Sequence, residues 1–546
     1  MTSQPWFNAE VWEPYKFKPT PVPFILPDEI KNAFNGPLGR PIEPQPATYQ
    51  PAYVPAAHEG IAAAEDEGAP LNLAPPVPPP AIPGLVGELV AHAWQSASAQ
   101  IAEVAVASAL SAMSLLCSRT YRHGTLGLNL YLLVLAQTST GKSFGFRAND
   151  NWMNALQQRF EGIKPPHSEE AKKRLEVLRK MIMGEIGSAQ GLSHHMAESP
   201  STLAHLDEYV QMIQLMNRVN CPAHISQLRA EILRLMEMSG PGRIYRGRKY
   251  SKRSGQPEEI DVLMASFSIL ATGTPEDFYD DISANLLTNG FLPRFTILEY
   301  EGSITQPNLS PITQPPAELI DKLMFIFNQN YLTAQTLTGN IKEIIDCVPN
   351  ESGKQRLQWF DNVCMRRTIE ANEKGWPSAG LWARAKDHVR QVASLIAIGV
   401  NPTMPTIDGS HVDIAISIVR KNVDKLSDKV SNFEIGIGDD RRIGEIRKIM
   451  AKMYALGWNK YRNMPGVRRD HIDNGLITIS AVRNYCVRLA PFKNHPLGSN
   501  RAFDDALNAM VKYGEVQQVT VPNEKAFVVK LNLDVFMPIL KSIAKS

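Results

Sequence analysis

The 546-residue chain has little cysteine and no cysteine pattern. Cys117, Cys221, Cys347, Cys364 and Cys486 stand far apart, with no C-x-x-C pair. That excludes a zinc ribbon and a disulfide framework, and it suits a reduced, cytosolic chain. Long apolar runs are missing too. The most apolar segment, Ile101 to Cys117, carries Glu103 and several Ser and Ala, so it reads as a core helix and not a membrane span. Met1-Thr-Ser-Gln-Pro5 has no charged stretch leading into an apolar one, so no secretory signal is expected. Neither sign of charge is in excess. With 57 Lys and Arg against 55 Asp and Glu, total charge argues neither for nor against a nucleic-acid partner. The expectation is a soluble intracellular protein of about three to four units.

Proline is abundant, but at one end. Residues 1–84 hold 19 of the 40 prolines and close on Ala74-Pro-Pro-Val-Pro-Pro-Pro-Ala-Ile-Pro83. Such a segment is expected to be largely disordered or extended, because it cannot pack a core. Trp6, Phe7, Trp12, Tyr15 and Phe17 are unusual in a spacer. They suit either a docking peptide or an arm lying on the chain's own surface.

Asn129 to Ser143 organises the rest. Leu130 to Leu135 is an apolar run of β-formers that predicts a buried parallel strand. Ala136-Gln137-Thr138-Ser139-Thr140-Gly141-Lys142-Ser143 follows, and Phe144 to Phe160 is helix-competent. Strand, loop, Gly-Lys-Ser and helix are the layout of a phosphate-binding P-loop. Backbone N–H groups of residues 137–143 and the helix N-terminus would cradle the phosphates of ATP. Lys142 would reach the β/γ-phosphates and the Ser143 hydroxyl would ligate Mg²⁺. Ala136 stands where the pattern has its first glycine; Gly141 keeps the second.

Downstream, Ser201 to Leu206 predicts a short strand closed by Asp207 and Glu208. In a P-loop ATPase the Asp would hold Mg²⁺ and the Glu would polarise the attacking water. A second buried strand, Ile260 to Pro275, ends in polar residues and places Thr272 where such enzymes read the γ-phosphate. Gly290-Phe-Leu-Pro-Arg-Phe295 presents Arg294 in a Gly/Pro turn, suited to an arginine finger for a neighbouring subunit or to structural pairing with a carboxylate. Between the two strands lies a basic stretch with interleaved aromatics: Arg243, Tyr245, Arg246, Arg248, Lys249, Tyr250, Lys252 and Arg253. Cations for phosphates and rings for base stacking suit a protruding hairpin or loop that grips single-stranded DNA; a solvated charge run is the plainer account. Arg384 and Arg390, on an otherwise apolar helix, could lean towards the nucleotide or face solvent.

From residue 440 to the end there are 18 Lys and Arg against 9 Asp and Glu. A helix over 501–513 and two strands around Pro522-Asn-Glu524 suggest a winged helix, a module that docks on DNA or on protein.

With these residues in place, the chain resembles a family of P-loop ATPases from phages, plasmids and other mobile elements, the helicase half of primase-helicase proteins among them. The resemblance covers roughly residues 85–420. It rests on Ala105-Val-Ala-Ser-Ala-Leu-Ser-Ala-Met113, Gly141-Lys-Ser143, Gly187-Ser-Ala-Gln-Gly-Leu192 and Leu206-Asp-Glu208. Ser268-Ile-Leu-Ala-Thr-Gly-Thr274, Gly290 to Phe295, and Trp382-Ala-Arg384 with Arg390-Gln-Val-Ala393 complete it. It implies an α/β, RecA-like or related ring ATPase, hexameric, moving on DNA in the cytoplasm of a bacterial host cell. The expected organisation is a Pro-rich arm (1–84), a helical lead-in (85–122), a P-loop ATPase core (123–305), a helical domain (306–435) and a basic winged-helix-like domain (440–546). Two departures stand out. Ala136 replaces the glycine, and no primase-polymerase domain precedes the ATPase, so priming would come from a separate primase or initiator protein. The rival is a nucleotide-switched DNA-binding initiator or helicase loader without unwinding activity. A third reading, from the likeness of Ala136-Gln-Thr138 to the first motif of two-lobed helicases, lacks a second lobe; a scaffold without turnover conflicts with the Asp207-Glu208 pair.

Overall fold

The computed structural model describes residues 73–161, 169–217, 221–247, 261–281, 284–335, 344–431, 439–461, 467–493, 498–512, 514–519 and 528–543. Its centre is a five-stranded, wholly parallel sheet. In chain order the strands are β1 (Tyr131–Leu135), β2 (Ile182–Met183), β3 (Ser201–Leu206), β4 (Ser266–Gly273) and β5 (Phe295–Glu299). Across the sheet they run β2-β3-β4-β1-β5. β4 therefore separates the strand before the Gly-Lys-Ser loop from the strand before Asp207. Every residue of β1, β4 and β5 is buried, so none shows inside–outside alternation; β1 reads as an unbroken apolar run, while β4 and β5 also bury Ser266, Ser268, Thr272, Thr296 and Glu299. β2 is only two residues long and follows the charged helix Glu169–Lys180, so its sequence carries no strand signal.

Two helices precede the sheet, α1 (Gly84–Ser96) and α2 (Ala102–Cys117). All sixteen residues of α2 are buried, and its Ala and Ser side chains let neighbours approach on every side. α3 (Phe144–Glu161) follows the Gly-Lys-Ser loop and buries Phe144, Ala148, Trp152, Met153 and Leu156 on one face. Three long helices come after the sheet: α4 (Glu351–Glu373), α5 (Ala379–Val400) and α6 (Gly409–Ser431). α1 packs against α5 so closely that a Cβ on Gly84 would lie 2.4 Å from the Gly399 carbonyl oxygen. α6 covers the open edge of β5, where Asn422 Nδ2 donates to the Ile297 carbonyl at 2.6 Å.

One continuous apolar core runs from Ile82 to Val430. The helical lead-in and the helical region after residue 306 therefore share a core with the sheet, and the expected divisions at 122 and 305 do not separate cores. The described part of the arm, from Leu73, lies on the chain's own surface: Gln306 bonds the carbonyls of Leu73 and Ala74. Residues 1–72 lie outside the described residues.

The C-terminal unit has its own core. Helix Asp439–Tyr461 is followed by strand Leu476–Thr478, helices Ile479–Cys486 and Ser499–Lys512, and strands Val516–Val519 and Val528–Leu531. The three strands form an antiparallel sheet with Val528–Leu531 in the middle. A buried Arg447–Glu515 pair fastens the first helix to the segment entering the second strand.

Candidate functional site

The parallel sheet brings the ends of β1, β3 and β4 together along its carboxyl edge, the position where open α/β sheets hold ligands. The loop after β1 begins conservatively. Ala136 is buried and its N–H donates to the Gly273 carbonyl at 3.1 Å, so it still belongs to the sheet. Its φ is negative, so the position makes no demand for glycine. The left-handed positions come later, at Ser139 (φ 65°) and Gly141 (φ 88°). At Gly141 a Cβ would also meet the Ala99 side chain at 2.9 Å, so the glycine is required by both conformation and contact. Gln137, Thr138 and Ser139 are exposed, while Thr140 is buried with its hydroxyl on the Gln137 carbonyl at 2.7 Å. Helix α3 starts directly after Ser143, itself half-buried.

Lys142 turns inward. Its residue is 8 % exposed, and Nζ lies 3.0 Å from Glu208 Oε1. That contact is off the direction of a hydrogen bond, so the buried ammonium has a charge partner but, among the described residues, no hydrogen bond. Glu208 occupies a left-handed position (φ 47°), rare for a side chain of this kind. Its N–H points at Asp207 Oδ1 (3.1 Å) and Thr272 Oγ1 (3.3 Å), and the Thr272 hydroxyl donates to Asp207. The Thr272 residue is 1 % exposed, so the outward carboxylate of Asp207 is held from beneath by a fixed hydroxyl. Lys142, Ser143, Asp207, Glu208 and Thr272 thus converge on one edge. Among the described residues no three or more His, Cys, Asp and Glu side chains gather as a metal nest.

His205 was not anticipated. Strand alternation puts it on the same face of β3 as Asp207, and it stacks on Phe146 of α3 with ring centroids 4.9 Å apart. Burial pulls its pKa down to about 4, so the imidazole is neutral at neutral pH. Asp150 lies 3.7 Å from Nδ1. A histidine two residues before the acidic pair was the available signal.

Arg294 is at the other end of the sheet. Phe295 pairs with Tyr131 in register, so Arg294 stands at the amino edge while residues 136–143 stand at the carboxyl edge. Five residues of strand put about 17 Å between them, which rules out contact within one chain. Arg294 donates to the Gly290 carbonyl at 2.6 Å and pairs with Glu237 at 3.2 Å. Arg384 pairs with the same Glu237 oxygen at 2.7 Å. Burial, and next the positive charge of Arg384, lower the pKa of Arg294. Arg390 is bound to Asp361 and faces neither site.

The basic stretch divides. Ile244–Arg246 and Asp261–Leu263 form an antiparallel pair at the same amino edge, the base of a hairpin. Arg243 and Arg246 are exposed. Tyr245 is not: its residue is 1 % exposed, its hydroxyl donates to Glu231 and meets Ser193 Oγ at 2.5 Å, and the Arg234 guanidinium lies 4.7 Å from its ring centre. Its ring is a packing element, with no face for a base. Arg248, Lys249, Tyr250, Lys252 and Arg253 lie outside the described residues.

Neither a family model nor a curated protein matches the chain. Among the described residues, no helix is long and apolar enough to cross a membrane.

Proposed function

We propose that this chain is a P-loop ATPase of a phage or other mobile element that acts as a ring on single-stranded DNA, as a helicase or translocase. The observation that carries the ATPase reading is the buried Lys142 ammonium at the helix start beside Asp207 and Thr272, paired with one carboxylate, Glu208, and with no hydrogen bond among the described residues. An ammonium taken out of water with donors unused is costly unless an anion completes it. The phosphates of ATP supply that anion, and the amides of 137–143 add donors at the start of α3.

Ser143 Oγ and Asp207 are the two oxygens that would hold Mg²⁺; two protein ligands with water and phosphates suit that ion, and it would neutralise charge on the phosphates. Lys142 binds the β/γ-phosphates. Glu208, freed from Lys142 by them, accepts a proton from the attacking water. Thr272 fixes Asp207 and marks the far wall of the γ-phosphate position. The amino-edge position of Arg294 supports its role as a finger for the next subunit in a head-to-tail ring, since its own loop is out of reach.

The DNA assignment rests on the resemblance, on Arg243 and Arg246 at the hairpin base, and on the basic C-terminal unit. Apart from the short helices Arg469–Asp473 and Ala490–Lys493, the order helix, strand, helix, helix, two strands, closed by helix Leu533–Ile543, supports a winged helix there. Helix Ser499–Lys512 carries Arg501 paired with Asp505, and Asp504 paired with Arg483, a neutralised face that suits protein docking more than phosphate contact.

A nucleotide-switched initiator or loader is the second reading. The Lys142–Glu208 pair favours it, because a site closed on itself opens only when nucleotide arrives. ATPase rate with and without single-stranded DNA, measured together with particle mass in ATP·Mg²⁺, separates the two. Strong stimulation in a ring-sized particle supports the motor. Slow turnover indifferent to DNA in a small particle supports the switch.

A further inference from the structure

Arg294 and Arg384 come from different elements and meet at one atom. Arg294 Nη2 lies 3.2 Å, and Arg384 Nη2 2.7 Å, from the same Glu237 Oε1. A single carboxylate oxygen held by two guanidiniums marks a point that suits an oxyanion. The arginines are the fixed partners. Arg294 donates to the Gly290 carbonyl at 2.6 Å, and it lies so close that a Cβ on Gly290 would stand 2.7 Å from its Nη1. Its Nε is buried and has no hydrogen bond among the described residues, a donor left for a further oxygen. Arg384 stands in the second turn of α5, whose next turn buries His388, and its Nη1 lies 3.7 Å from Asp387.

Glu237 is the loosest of the three. Its side chain is 42 % exposed, against 17 % for Arg294 and 35 % for Arg384. It caps the C-terminus of helix Ala223–Met236, where a carboxylate faces the negative end of the helix dipole. Its place therefore depends on the arginines, and a more highly charged anion displaces it. We propose that Glu237 stands in for the γ-phosphate of a neighbouring copy's ATP, and that Arg384 joins Arg294 on that phosphate when Glu237 swings away. The inference rests on the ring ATPase reading above. It adds a second residue acting across the subunit contact, and a latch that keeps the pair neutralised until a phosphate arrives. Several terminal oxygens match two planar forks better than one carboxylate oxygen does.

Mixing two inactive variants tests it on the full chain, with phosphate release as the readout. Arg384→Ala should lower ATP hydrolysis at least about tenfold, while a dilute single copy binds ATP as before. Arg384→Lys keeps the charge and should fall as far, because an ammonium lacks the planar fork. Equimolar Arg384→Ala and Lys142→Ala should recover towards about a quarter of the unaltered rate, the share of contacts at which random mixing sets an intact lysine against an intact arginine. Glu237→Gln should speed hydrolysis several-fold at low ATP; slower hydrolysis would make Glu237 an anchor and overturn the latch. Unchanged hydrolysis in Arg384→Ala overturns the proposal, as does a mixture no more active than its parts. Loss of single-stranded DNA binding with DNA-free hydrolysis intact assigns the arginines to DNA phosphates and overturns it too. An unaltered chain that hydrolyses no ATP overturns the nucleotide reading itself, and this inference with it.

Discussion

The Lys142 ammonium and the Glu208 carboxylate stand 3.0 Å apart, joining the loop after β1 to the turn after β3. Two positions 66 residues apart in sequence thereby share one charge pair, and on the proposed ATPase reading an incoming phosphate would compete with Glu208 for the lysine.

Replacing the lysine tests the whole site. Lys142→Ala should reduce ATP hydrolysis at least about a hundredfold, ~2.7 kcal/mol of barrier, with the melting temperature nearly unchanged. Phosphate release is the assay, and hydrolysis retained at the original rate would falsify the P-loop assignment.

The Thr272 hydroxyl donates to Asp207, so on the proposed reading its loss should separate catalysis from folding. Thr272→Val keeps the shape but removes the donor to Asp207, at about 1 kcal/mol of stability. Hydrolysis should fall about tenfold or more while nucleotide affinity in the absence of metal holds. A variant with unchanged turnover would leave Thr272 a packing residue only.

Glu103 predicts a pH dependence. Burial raises its pKa to about 7 from an ordinary 4.5, with Lys421 opposing and Glu301 and Glu299 adding to the shift. Between those two values the unfolded chain gives up a proton that the folded chain keeps. The stabilisation is therefore complete below about pH 4.5 and is lost as pH rises through 7. Glu103→Gln should melt higher than the unaltered chain at pH 8, and the gap should close towards pH 5. Parallel melting curves across that range would show that Glu103 is charged in the folded protein.

The C-terminal unit offers a stability test apart from the nucleotide site. Arg447 and Glu515 have side chains 6 % and 8 % exposed, so removing Glu515 takes a buried ion-pair partner from Arg447. Glu515→Ala should cost that unit roughly 3–5 kcal/mol. Calorimetry should show its transition moving down while nucleotide binding is unaffected; one shared transition moving as a whole would mean the two cores unfold together.

Sequence by itself determined the local pieces. An unbroken apolar run gave β1, and mixed, largely apolar segments closed by polar residues gave β3 and β4, because parallel strands buried on both faces need no alternation. Gly141, Lys142 and Ser143 were legible because a left-handed glycine beside a lysine at a helix start is a local constraint. Asp207 and Glu208 were legible because they close a strand. What sequence lacked was anything set by distance across the sheet. The pairing order put Thr272 under Asp207, and the Lys142–Glu208 contact exists only because β1 and β3 flank β4 with their carboxyl ends at the same edge. Register put Arg294 at the opposite edge with Glu237 and Arg384, and packing against Glu231 and Arg234 turned Tyr245 from an expected stacking ring into core. Two-residue β2 and the shared core from Ile82 to Val430 were likewise tertiary outcomes. Their signals are burial and pairing, energies that no short window of residues contains.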